Sequence, residues 1–280
     1  MHYHQHPVAQ FQLDSKEFPM SEAKTSVQEQ FGANATRYIN SPTHANSNRL
    51  THLVGLVQPQ PHWHTLDIAT AAGHTAFAFA PHVAQAWATD ITSEMLEIAK
   101  QQANERGLTN VTVEYADAEK LPYADASFDL VTCRIAPHHF PNIGLFLQES
   151  ARVLRSGGIL AVVDNFVPDG AGGDYVNAFE KLRDPSHGRC LSVAEWLAGY
   201  EQAGLHVQHH ETLNKSMDFA FWAQRHDAVM QRYLRAMLSE VTGEAKAFLQ
   251  PQTTPEGASF QLYEVTIIGQ KADFARQSGK

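Results

Sequence analysis

From Trp63 to Val163 the chain alternates short apolar, β-branched runs with helical patterns. That rhythm rules out all-helical bundles and antiparallel sandwiches at once. Strands are expected over Trp63–Ala69, Ala86–Ile91, Val111–Ala116, Phe128–Ile135 and Ile159–Val163. Helices are expected over Gly73–Ala80, Ser93–Arg106 and Ile143–Arg155. In the second helix Met95, Leu96, Ile98 and Ala99 form a buried side, Ser93 and Glu94 suit the first turn, and Gly107 ends it. Strands joined through helices run parallel, with the helices covering both faces of the sheet. The class is therefore α/β with an open sheet.

The flanking segments read differently. Residues 1–26 are polar and irregular, with His2, His4 and His6 near the start. Two helices, Val27–Tyr38 and Asn46–Val57, follow as a cap, separated by the turn-prone Ser41–His44. Beyond the fifth strand, helices are expected over Tyr175–Leu182, Ser192–Ala203 and Phe219–Leu238, and strands over Leu205–Leu213 and Ala258–Gly269. Ser192 with Glu195 three residues later is a capping box. A length of 280 residues suits a single domain divided into residues 1–62, 63–166 and 167–280.

Charge and composition narrow the function. The net charge is −9, with 21 basic against 30 acidic residues, so the chain lacks the basic footprint of a nucleic-acid or anionic-membrane binder. No apolar run reaches the roughly 18 residues of a membrane helix, and the first twenty residues do not resemble a signal peptide. Cys133 and Cys190 form no CxxC pair and read as reduced thiols in a cytoplasmic protein. The 16 histidines scatter, and His206, His209 and His210 come with no metal-ligand spacing, so no metal is expected.

The chemistry lies at the strand ends. In Leu66-Asp67-Ile68-Ala69-Thr70-Ala71-Ala72-Gly73 an acid ends the first strand and small residues turn into a helix. Ligands of open α/β sheets sit at such turns, where the helix offers free N–H groups. Small residues there also serve plain close packing. Asp90 ends the second strand, 23 residues after Asp67, where an acid can accept both ribose hydroxyls or cap the next helix. Asp117 follows the third strand. Carboxylates at three adjacent strand ends call for a donor-rich or cationic ligand.

Four blocks, LDIATAAGHTAFAFAP, ATDITSEMLEIAK, VEYADAEKLPYADASFDLVTCRIAPHHF and ARVLRSGGILAVVDNFVP, make residues 27–166 resemble a class I S-adenosylmethionine-dependent methyltransferase. The similarity is to the ubiquinone/menaquinone-biosynthesis branch and its small-molecule relatives. Beyond residue 166 it is fold-level only. The resemblance implies a Rossmann-like seven-stranded sheet of order 3-2-1-4-5-7-6, with strand 7 antiparallel. It implies that Asp67, Ala69, Thr70, Ala71 and Gly73 surround the methionine end of the cofactor. Asp90 would hold the ribose, Ile91 would lie against the adenine, and Asp117 with Ala118 would meet the adenine edge. Cys133 and Arg134 would line the underside. Tyr38 would reach the cofactor carboxylate or serve as a core tyrosine. Ala69 and Ala71 replace family glycines, which is compatible with binding where φ is negative.

Other residues point at the acceptor. His138 and His139 follow the fourth strand as a general base or as pocket groups. Asp164 and Phe166 follow the fifth strand and face the crevice. Arg183 and His187 belong either to a substrate site or to a solvated turn, and Trp222 to an aromatic lid or the core. The expected activity is in-line methyl transfer from S-adenosylmethionine to an O-, N- or C-nucleophile of a small metabolite, leaving S-adenosylhomocysteine. One alternative keeps the cofactor without the transfer, as a sensor, partner subunit or rearrangement catalyst. Another is an NAD(P)-dependent oxidoreductase, against which stand the missing G-x-G-x-x-G and the presence of Asp117. Partners beyond the substrate reduce to monomer or homodimer.

Overall fold

The computed structural model describes residues 20–32, 47–254 and 257–272. His2, His4, His6, Tyr38 and His44 lie outside the described residues. Helices α1 (Met20–Gly32) and α2 (Ser47–Val57) come first. Then β1 (His64–Ile68), α3 (His74–Phe79), β2 (Gln85–Asp90), α4 (Ser93–Glu105), β3 (Val111–Tyr115), β4 (Phe128–Arg134), α5 (Ile143–Val153) and β5 (Leu154–Phe166) alternate as the sequence pattern expects. The second half adds α6 (Gly170–Arg183), α7 (Val193–Gln202), β6 (Leu205–Asp218), α8 (Phe219–Ala223), α9 (Ala228–Glu240), α10 (Gly243–Leu249), β7 (Gln252–Thr254) and β8 (Gly257–Lys271).

Strands β1 to β5 pair in parallel, while β8 runs antiparallel to both β5 and β6. The order is β3-β2-β1-β4-β5-β8-β6. This is the expected 3-2-1-4-5-7-6 arrangement, with β8 as its seventh long strand and β7 an added short partner of β8. The chain leaves β1 toward β2 and β3, then returns on the other side of β1 to β4. That reversal opens a crevice at the carboxyl ends of β1 and β4.

Both faces of the centre are covered. On one, Leu66, Val131 and Val162 pack with Phe146, Leu147, Trp196 and Tyr200 from α5 and α7. On the other, Leu130, Ala161 and Val163 meet Leu53 and Val57 of α2 and Phe79 of α3. A separate cluster of Phe179, Phe219, Trp222, Leu234 and Phe260 sits under α6 and α8–α10.

Five expectations change. Helix α1 begins at Met20, seven residues before the expected Val27 and inside the stretch read as irregular, where Lys24 pairs with Asp117. Helix α6 begins at Gly170, five residues before the expected Tyr175. The single helix Phe219–Leu238 is two helices, because Asp218 accepts from the Phe221 N–H at 2.7 Å and Asp227 from the Met230 N–H at 2.8 Å, each starting a new one. Strand β5 begins at Leu154, five residues early, across a register shift against β4. Strand β6 continues to Asp218 because the 15-residue β8 pairs with it throughout. Among the described residues no helix is long and apolar enough to cross a membrane.

Candidate functional site

Asp67 organises the turn after β1. Its Oδ2 accepts from the Thr70 hydroxyl at 2.6 Å and the Ala76 N–H at 3.2 Å, and its Oδ1 from the Thr132 hydroxyl at 2.7 Å. One carboxylate thus ties together β1, the turn, α3 and β4. Burial pushes its pKa up to about 6, even against the hydrogen bonds from Thr70 and Thr132 and the Arg134 charge. Asp90 binds the same turn from β2. Its Oδ2 accepts from the Ala71 N–H at 3.0 Å and its Oδ1 from the Thr92 N–H at 2.9 Å. Burial raises its pKa as well.

The turn backbone departs from expectation. Ala69 has φ 53° and Ala71 φ 49°, both left-handed, so these alanines do not sit at negative φ. They occupy a glycine conformation and carry its strain, about 1–2 kcal/mol each. Gly73, at φ 89°, could not follow them: a Cβ there would lie 2.1 Å from the Phe77 ring.

A pocket follows the strand ends. Ala69, Thr70, Ala71, Asp90 and Ile91 line one side, and Asp117, Ala118 and Arg134 another. Asp67, Gly73 and Cys133 stand behind this wall rather than on it. Cys133 is buried, and burial raises its thiol pKa.

Helix α1 covers the pocket. Lys24, Gln28 and Phe31 lie on one helical stripe and reach three different strand ends. Lys24 Nζ pairs with Asp117 at 2.6 Å and Glu119 at 2.7 Å. Gln28 donates to the Ile91 carbonyl at 2.8 Å. The Phe31 ring meets His139 edge-on, with centroids 4.9 Å apart. Lys24 and Glu119 are pocket residues that sequence reasoning missed, since no local pattern joins positions 93 and 95 residues apart.

Beyond β4, Ile135 holds φ 54°, an outlier for a β-branched residue, and a short turn over Pro137–His139 follows. Asp164 anchors that turn: it accepts from the His138 N–H at 2.9 Å and meets the ring Nδ1 at 2.5 Å. Burial alone would lower the His138 pKa, but the Asp164 carboxylate overrides it and raises the pKa. His138 stays behind the wall, while His139 lines the pocket. Burial and the neighbouring His138 charge depress His139 to about 3. Its Nδ1 lies 3.0 Å from the Ser186 carbonyl. That oxygen can only accept, so Nδ1 carries the proton and Nε2 keeps the lone pair.

The remaining substrate candidates sit elsewhere, and none of Asp164, Phe166, Arg183, His187 or Trp222 lines this pocket. Asp164 is spent on His138. Phe166 packs against Phe248 and Tyr263 at 5.7 and 5.8 Å. Trp222 is 2% exposed and stacks on Phe179 within the core, so it forms no lid. Arg183 lies over the Trp222 ring at 5.4 Å. His187 is buried and meets Asn177 at 3.0 Å, its pKa lowered by burial to about 2.

A reversing parallel sheet with an antiparallel last strand, carrying a small-residue turn and acids at three strand ends, defines the S-adenosylmethionine-dependent methyltransferase class. Comparison with known proteins places this chain there: a family model described as a methyltransferase domain matches residues 66–162. An uncharacterized methyltransferase of Bacillus subtilis, YcgJ, is 37% identical over 196 residues, 70% of this chain and 78% of that protein. The YcgJ crystal structure superposes with a TM-score of 0.77 at 33% identity, covering 80% of this chain and 98% of that one. The 27-O-demethylrifamycin SV methyltransferase of Amycolatopsis mediterranei is 32% identical over 180 residues, 60% of this chain and 64% of its own. A ubiquinone/menaquinone biosynthesis C-methyltransferase of Bartonella tribocorum is 38% identical over 101 residues, 35% of this chain and 39% of its own. The chain belongs to the S-adenosylmethionine-dependent methyltransferases, which displaces the oxidoreductase alternative.

Proposed function

We propose that this enzyme, acting as one domain, methylates a small organic metabolite and holds S-adenosylmethionine in the pocket under α1. The observation that carries the placement is Asp90. Its Oδ2 accepts from the Ala71 N–H and its Oδ1 from the Thr92 N–H, which fixes this pocket-lining carboxylate at the end of β2. That suits a ribose diol. Asp117 and Ala118 meet the adenine edge, Ile91 its face, and the Ala69–Gly73 turn the methionine end. Cys133 supports this floor from behind. When bound, the cofactor supplies an electrophilic methyl group on a sulfonium.

The chain's own residues then align and shield. Helix α1 excludes water from above, and the Asp164–His138 pair fixes the turn that carries His139. His139, neutral with Nε2 unprotonated, is the group we assign to take a proton from an acceptor that still carries one. Support for a small acceptor comes from relatives named for a demethylrifamycin and for ubiquinone/menaquinone biosynthesis. The two buried free thiols, Cys133 and Cys190, support a reducing, cytoplasmic setting.

The test is calorimetry with S-adenosylhomocysteine. Asp90→Ala should weaken binding at least 100-fold, with the circular dichroism spectrum unchanged. Equal affinity in the variant would remove the assignment.

A further inference from the structure

The polar run over residues 181–189 lines none of the cofactor pocket. It ends α6 and packs against the turn that carries the two histidines after β4. The Gly188 and Arg189 N–H groups donate to the His138 carbonyl at 2.8 and 3.0 Å. A Cβ on Gly188 would lie 3.0 Å from that oxygen, so the approach is close. From the α6 side, Lys181 Nζ donates to the carbonyls of Pro185 at 2.8 Å and His187 at 2.6 Å. The loop is thus held between α6 and the histidine turn.

Ser186, in this loop, brings both of its oxygens to His139. Its carbonyl lies 3.0 Å and its hydroxyl 3.3 Å from Nδ1. The carbonyl can only accept, whereas the hydroxyl can accept from Nδ1–H or donate to a bare Nδ1. Asp184 decides between these. Its Oδ1 accepts from the Ser186 hydroxyl at 2.6 Å, the length of a strong charge-assisted bond, and from the Ser186 N–H at 3.0 Å. With that hydrogen committed, the hydroxyl faces His139 with lone pairs only. Asp184 is itself held, since its Oδ2 meets Arg225 at 3.0 Å and its N–H donates to the Glu180 carbonyl at 2.8 Å. Ser186 is buried, which keeps bulk water from competing for these bonds.

Which ring nitrogen of a neutral histidine carries the proton is set by the bond the other one makes. Two acceptors at Nδ1 leave the lone pair on Nε2. When Nε2 takes a proton from the substrate, both ring nitrogens are donors, and Nδ1–H keeps the same two partners. The loop then has nothing to rearrange. Burial, followed by the His138 charge and Lys181, holds the ring neutral, while the Ser186 carbonyl and the Asp184 carboxylate favour the protonated ring.

We propose that Asp184 and Ser186 are positioning residues for His139. Asp184 draws the Ser186 hydroxyl hydrogen to itself, so that both Ser186 oxygens accept from Nδ1 and Nε2 keeps its lone pair. This rests on the reading of His139 above as the group that takes the substrate proton. The run over residues 181–189 is then neither a substrate site nor a solvated turn. It is the support that fixes the tautomer of a pocket histidine 47 residues away from Ser186.

The experiment is nitrogen NMR of the histidine rings in the full chain saturated with S-adenosylhomocysteine. The His139 signals are those lost in His139→Gln. Wild type should show a protonated Nδ1 and a bare Nε2 in at least about nine tenths of the rings. Asp184→Ala frees the Ser186 hydroxyl to donate to Nδ1 and should move at least about a quarter of the rings to the Nε2–H form. Ser186→Ala, the milder change, should keep the wild-type tautomer, with the Nδ1–H proton shifted upfield for want of its second acceptor. Adding Ser186→Ala to Asp184→Ala should restore the wild-type tautomer, a rescue that general damage to the loop would not give. All three variants should keep wild-type affinity for S-adenosylhomocysteine, which reports that they fold. An unchanged tautomer in Asp184→Ala, a shift that persists in the double variant, or an unmoved Nδ1–H signal in Ser186→Ala overturns the positioning roles alone. A protonated Nε2 in the wild type overturns His139 as the proton acceptor and the positioning roles with it. Wild-type protein that does not bind S-adenosylhomocysteine overturns the methyltransferase reading as a whole.

Discussion

Replacing Ala71 with glycine should stabilise this protein, and replacing it with valine should not. The reasoning turns on φ 49° at this position. A left-handed alanine costs about 1–2 kcal/mol, because Cβ crowds the following carbonyl. Glycine removes that cost but adds about 0.5–1 kcal/mol of chain entropy to the unfolded state. The partly buried methyl group contributes less than the roughly 0.8 kcal/mol of a fully buried one. The balance favours glycine by about 0.5 kcal/mol. Ala69 at φ 53° allows a similar gain. The double glycine variant should therefore gain about 1 kcal/mol, near 2 °C in Tm for a chain of this size. Valine at 71 adds a β-branch to the same conformation and should lose about 2 kcal/mol. Urea denaturation, read by circular dichroism, measures all three. In an ordinary helical or extended backbone the signs reverse: glycine destabilises and valine is close to neutral. A destabilised glycine variant beside an unaffected valine variant would refute the left-handed turn.

Three further outcomes are expected. Asp67 has a folded pKa raised to about 6 from 3.8, so the folded state binds the extra proton between those values. Stability relative to Asp67→Asn should fall by about 3 kcal/mol as pH rises from 4 to 6 and then level off, as urea titrations at stepped pH would show. Lys24→Ala should speed dissociation of S-adenosylhomocysteine about fivefold in stopped-flow fluorescence, and salt near 1 M should speed the wild type but not the variant. Asp164→Asn leaves a buried histidine without its carboxylate, so the His138 pKa should drop in NMR titration. Because the folded His138 pKa is raised, the stability lost, about 3 kcal/mol, should be fully present below pH 6.5 and fade as pH rises through the folded value.

The parallel half of the fold was legible because its signals are local and periodic. Asp67, Asp90 and Asp117 could be placed at strand ends from strand length alone. What escaped was set by tertiary context. Asp227 reads as one more polar helix residue until its side chain is seen capping Met230. Trp222 at helical spacing fits a lid or a core equally well, and only the stacked Phe179 decides it. The handedness of φ at Ala69 and Ala71 has no sequence signature when glycine is absent. Lys24 meets Asp117 across 93 residues, and Arg49 meets Glu264 across 215. No window along the chain contains either pair.

Helix α1 has only 13 residues, a length that is marginal for a helix alone in water. Its place is kept by what it grips, namely Asp117 and Glu119, the Ile91 carbonyl and the His139 ring. Each grip belongs to a strand end that lines the same pocket. The helix therefore ties three corners of one pocket together. A dye at the exposed Glu29, on its outer side, would read cofactor arrival and product departure directly, with no acceptor and no chemistry required.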